Sequence, residues 1–104
     1  MKIDLHMHSN ISNDGEFSPK ELVEMCSSAG INVMALADHN SVRGVKEALE
    51  YGKEKNIKVI SAVELDCTHG EHNLHILGYN IDVENIWKNR KRYIGAGIKC
   101  CWKK

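Results

Sequence analysis

Long apolar runs are missing from these 104 residues. The longest, Val33 to Ala37, is five residues, against about 20 for a helix that spans a bilayer, so no membrane segment is expected. The amino terminus lacks the apolar stretch of a signal peptide. His6 and His8 stand in its place, and no such peptide is expected. Paired cysteine spacing is missing too. Cys26, Cys67, Cys100 and Cys101 make neither a disulfide framework nor the CxxC pairs of a structural zinc site, which leaves the cytoplasm as the default compartment. Net charge is absent as a total, which alone argues against a polyanion partner, but it is present as a pattern. Residues 1–84 hold fourteen acidic and seven basic residues, a net of −7, while residues 85–104 hold seven basic residues and no acid.

What is there, 42% hydrophobic and 27% charged residues, suits one small globular domain. Lys2 to His6 alternates, with Ile3 and Leu5 on one face and Asp4 and His6 on the other, and predicts a short strand. Ser18-Pro19-Lys20-Glu21 carries a cap, a first-position proline and a third-position glutamate, and Leu22, Cys26 and Ala29 continue as a helical stripe that Gly30 ends. "INVMALAD" reads as a strand buried on both faces, which favours a parallel sheet. Ser41 is placed to cap a second helix, with Val42, Val45 and Leu49 inside and Asn56 near its end. "IKVISAVEL" predicts another buried strand, "DCTHGEHN" a polar loop and "LHILGYNID" a fourth strand. The order is βαβαββ, an α/β class with right-handed crossovers. From Glu84 onward no period is evident.

Metal-capable side chains cluster on this frame. His6 and His8 alternate at the end of the first strand, Asp38-His39 follows the second, Glu64 closes the third and His75 lies in the fourth. In a parallel sheet the strand carboxyl ends share one edge, so these groups converge. Imidazole with carboxylate suits Zn, Mn or Fe, and a glutamate can bridge two ions. A single histidine at a strand end is usually just solvated; three strand ends carrying ligand types on one edge is a pattern. Asp4 and Asp38 are candidates for orienting a ligating imidazole through its other nitrogen. His69 and His72 read as solvent-facing loop residues, and Cys67 as an inert, partly buried thiol. The basic run near the carboxyl end, with Trp87, Tyr93 and Trp102, reads first as a solvated segment.

"DLHMHS", "ALADHNSV", "SAVELD" and "LHILGYNID", in that order from Met1 to Val83, resemble the polymerase and histidinol phosphatase (PHP) family of metal-dependent phosphoesterases, closest to small stand-alone bacterial members. The resemblance implies the N-terminal part of a distorted (β/α)7 barrel holding up to three divalent ions. It implies that His6, His8 and Glu64 hold the first ion, that Glu64 bridges to a second also held by His75, and that Asp14 and His39 help hold a third. Where relatives read Ser-Asp-Gly, this chain reads Ser12-Asn13-Asp14-Gly15. Aligning on serine selects Asn13 and aligning on glycine selects Asp14, and the carboxylate favours Asp14. Family barrels exceed two hundred residues, and their later part supplies another histidine and an Asp-x-His pair. No histidine follows His75 here, so residues 1–83 read as a partial PHP domain and 84–104 as a basic tail, a truncated or frame-shifted remnant. An open sheet with an unclosed edge and fewer ions is the physical expectation.

The function this implies is hydrolysis of a phosphate ester, small or oligonucleotide, by two-metal activation of water with Glu64 as the catalytic carboxylate. The competing expectation is a metal-binding fragment without turnover. A nucleic-acid-binding tail is a third. A homo-oligomer covering the open edge is the partner the topology invites, and no membrane partner is expected.

Overall fold

A computed structural model of the chain describes residues 1–12 and 15–84, together with the backbone of two short strands near the carboxyl end. Asn13, Asp14 and the rest of the basic tail lie outside the described residues, and with them the choice of a third-ion ligand and the nucleic-acid expectation.

The first helix, α1 (Pro19–Ser28), begins as the sequence predicts. Ser18 Oγ accepts from the Glu21 N–H at 3.1 Å, and the Glu21 carboxylate accepts from the Ser18 N–H at 3.2 Å. Gly30, at φ +76°, reverses the chain, so that the Ile31 N–H reaches the Cys26 carbonyl at 2.9 Å. The second helix, α2 (Val45–Glu54), starts later than expected. Its N-cap position is Gly44, and no side chain caps it. Ser41 is instead buried in the preceding turn, where its hydroxyl accepts from the Arg43 N–H at 3.3 Å.

Three parallel strands follow the expected order: β1 (Ile3–Met7), β2 (Val33–Leu36) and β3 (Lys58–His69). Only the first four residues of β3 pair with β2. Beyond them β3 continues through Asp66 to His69, and β4 (His72–Tyr79) returns antiparallel from His72 opposite His69 to Tyr79 opposite Ala62. The expected polar loop is therefore a hairpin that turns at Gly70-Glu71, with Gly70 at φ +63°. Its residues are polar because the two strands project into solvent, where His69 and His72 are exposed. The chain thus forms a βαβαββ unit, a curled half-barrel whose fourth strand is antiparallel. Two further strands, β5 (Tyr93–Gly95) and β6 (Ile98–Cys100), lie in the segment without an evident period, and β6 pairs with β3 at Cys67 and Thr68.

Core packing is one-sided. Met34 and Leu36 of β2 meet Leu22, Val23 and Cys26 of α1 and Ala48 of α2. Val63, Leu65 and Cys67 of β3 meet Val42, Val45 and, from β4, Leu74 and Ile76. Cys67, expected as a thiol, is buried and disulfide-bonded. On the opposite face Ala35, Ala37 and Ala62 form a small-residue floor beside Ile60. No helix among the described residues is long and apolar enough to cross a membrane.

Candidate metal centre

A β-bulge between Asp4 and Met7 breaks the alternation of β1. Asp4 pairs in register with the core residue Met34, and its charge acts on the Cys26 thiol, which burial first and Asp4 second push up. His6, past the irregularity, turns to the other face, with Nε2 2.6 Å from Glu64 Oε1. Asp4 therefore does not orient an imidazole. Its Oδ1 accepts from the His6 backbone N–H at 3.1 Å.

Beyond β1 the chain folds tightly on itself. Gly15 presses so closely on Ser9 that a Cβ there would collide with the Ser9 carbonyl group. Asp38, only 1% exposed, anchors this loop to the end of β2. Its carboxylate accepts from the Ser9 N–H and hydroxyl, each at 2.5 Å, and from the Ser12 hydroxyl at 3.0 Å. Ser12 Oγ in turn accepts from the His39 N–H at 3.1 Å. Asp38 thus positions His8 and His39 through the backbone, where an imidazole contact was expected. The two rings stack at 4.7 Å with planes 6° apart.

Glu64 sits at the centre, its side chain 6% exposed. The Asp38 carbonyl accepts from the Glu64 N–H at 3.0 Å, and the Glu64 carbonyl accepts from the Asn40 N–H at 2.8 Å, so the loop after β2 is tied to β3 on both sides of His39. Glu64 Oε1 faces His6 and His8, the latter at 3.5 Å, and the Nε2 atoms of His6 and His8 are 3.1 Å apart. Glu64 Oε2 faces His75 Nδ1 at 2.8 Å and His39 Nδ1 at 3.8 Å. Burial pushes the Glu64 carboxyl up. Hydrogen bonds from His6 and His75 and the potential of the His39 and His6 rings outweigh it, and the carboxyl stays below its ordinary value.

His75 arrives by a different route from the one the parallel-sheet argument supplied. It lies within antiparallel β4, opposite Asp66, and cross-strand register brings it in. Asp66 itself was missed, because it falls where the sequence reads as a polar loop. Its position two residues after Glu64 on a continuing strand, hence on the same face, was the available signal. Asp66 Oδ1 lies 3.0 Å from His39 Nδ1 and 3.7 Å from His75 Nε2.

Two sets of ligand atoms, one each from His6, His8 and Glu64 and one each from His39, Glu64, Asp66 and His75, lie within 4.8 Å of one another. Ligands on a tetrahedral ion at about 2.1 Å stand about 3.4 Å apart, and the donor types are those of Zn, Mn or Fe. The residues fit divalent cations, with Glu64 common to both sets.

Residues 4–93 match the PHP domain. The chain is 43% identical over 81 residues to a 5'-3' exoribonuclease of Haemophilus influenzae, covering 78% of this chain and 29% of that protein. It is 35% identical over 80 residues to a 3',5'-nucleoside bisphosphate phosphatase of Chromobacterium violaceum, covering 77% and 28%. A solved structure from Bifidobacterium adolescentis, described as that of a putative metal-dependent phosphoesterase, superposes with a TM-score of 0.74 at 29% identity, over 82% of this chain and 29% of that one. The chain thus spans less than a third of the length of each of these three proteins.

Proposed function

The chain belongs to the PHP family, and on that premise we propose that it is a metal-dependent phosphoesterase whose site is organised by Glu64. The observation that carries the reading is the division of one buried carboxylate, with Oε1 toward His6 and His8 and Oε2 toward His75. Divalent cations bound there would supply Lewis acidity toward a phosphoryl oxygen and a hydroxide at neutral pH. His6 and His8 present their Nε2 atoms from one wall, and the stacked rings of His8 and His39 limit rotation of both. Glu64, held in its ionised form by its imidazole partners, fixes the spacing between the two walls. Two of the relatives are named for nucleotide or RNA substrates, which favours a nucleotide or oligonucleotide phosphate ester here.

Hydrolysis of p-nitrophenyl phosphate and bis-p-nitrophenyl phosphate with added Mn2+ tests this. Turnover by the wild-type chain that Glu64→Ala abolishes, with the circular dichroism spectrum unchanged, is the expected outcome. A second reading, metal binding without turnover, draws on the same residue sets and on the span of under a third of the exoribonuclease and phosphatase relatives. It prevails if elemental analysis finds bound metal while neither ester is cleaved.

A further inference from the structure

Resting on the metal-centre reading above, we propose that Asp66 is itself a metal ligand. With His39, Glu64 and His75 it forms a four-ligand cation site that residues 39–75 hold by themselves. Three distances carry the geometry: 3.0 Å from His39 Nδ1 to Asp66 Oδ1, 3.8 Å from His39 Nδ1 to Glu64 Oε2, and 2.8 Å from His75 Nδ1 to Glu64 Oε2, with one donor atom of each of the four residues within 4.8 Å of the others. They bracket the separation of about 3.4 Å that ligands around one tetrahedral ion require.

The Asp66 carboxylate is 42% exposed, yet it is not left to swing. Asn40, 3% exposed and held at φ +58°, clips it on two sides. The Asn40 amide donates from Nδ2 to Asp66 Oδ2 at 2.9 Å, and Asn40 Oδ1 accepts from the Asp66 N–H at 2.7 Å. One carboxylate oxygen is thereby engaged by Asn40, and the other is turned toward His39 and His75. Fixing a ligand through a buried neighbour is how a site keeps its geometry before the ion arrives. A left-handed backbone at a non-glycine residue is a cost that such a clip offsets. The consequence is chemical: this site has two neutral imidazoles and two carboxylates, so it takes a divalent cation of the Zn, Mn or Fe type with little net charge left over.

The competing role is that Asp66 only accepts a hydrogen bond from His39 Nδ1 and binds no ion. Two variants separate these roles. Asp66→Asn keeps an oxygen that can accept from His39 but removes the anionic ligand. The double variant Asn40→Asp/Asp66→Asn restores a donor and acceptor pair across the clip while the group facing His39 stays neutral. Binding of Co2+ is followed by its visible d–d absorption and by metal-to-protein stoichiometry after gel filtration. The expected result is two ions per wild-type chain and loss of the second in both variants, its affinity falling at least about 100-fold. A second ion retained within about threefold by Asp66→Asn, or regained by the double variant, overturns the ligand role in favour of hydrogen-bond positioning and leaves the phosphoesterase reading standing. A wild-type chain that takes up no Co2+ overturns both.

Discussion

On the face of the sheet turned to α1 and α2, Met34 and Leu36 are fully buried against Val23 and Ala48. On the opposite face, register places Ile3 beside Val33, Leu77 beside Glu64 and Tyr79 beside Ala62. There Ile3, Leu5, Leu77 and Tyr79 stay between 39% and 56% exposed. The same strands therefore stabilise the fold with one set of alternating residues and assemble the imidazoles and carboxylates with the other. The helix-covered face holds tightly packed side chains and few polar groups. The open face holds alanines, an apolar surface in contact with water, and a rim of imidazoles and carboxylates around Glu64. Stability and chemistry are separable here because strand residues alternate.

The largest effect that would break this separation comes from the packed face. Leu36→Ala should cost about 2–5 kcal/mol by urea unfolding, whereas Leu77→Ala, on the open face, should cost about half as much or less. Equal costs would mean that the open face is covered in solution. Next is Asp38, the one buried carboxylate that serves the rim from beneath. Asp38→Ala leaves the Ser9 and Ser12 donors buried and unmatched, for about 1–3 kcal/mol. It should also weaken Co2+ binding through the displaced His8 and His39, which a purely structural residue would not do. The smallest effect is at the cap of the covering helix. Ser18→Ala should cost about 1 kcal/mol and leave metal stoichiometry unchanged.

The local signals were legible where they depend on few residues. Ser18-Pro19-Lys20-Glu21 and Gly30 bound α1 as the sequence predicts, since a capping box and a left-handed terminus are satisfied within one turn. The grouping of His6, His8, Glu64 and His75 was legible as well, though for His75 the parallel-edge argument gave the wrong route. Tertiary choices were not legible. Ile3 and Leu5 read only as one face of a strand; that this face belongs to the open side of a half-barrel is a tertiary choice no local pattern reveals. Asp4 shares parity with His6 in the sequence but not in space, because the bulge between Asp4 and Met7 changes the face. Ser41 is a good capping residue that lies one turn too early, since Asp38 to Asn40 first bind back to β3. Asp66 was hidden by polarity: strand tips that project into solvent look like loops.

One consequence of the pairing of β3 concerns the order of assembly. Its distal half meets β4 across a turn of two residues, whereas Ile3 of β1 meets Val33 of β2 only after some thirty intervening positions have been gathered in. Closing the shorter link costs the chain far less freedom. Glu64, Asp66 and His75 can thus be neighbours while the amino terminus still wanders, and a cation captured by that hairpin would act as a template on which His6 and His8 arrive last.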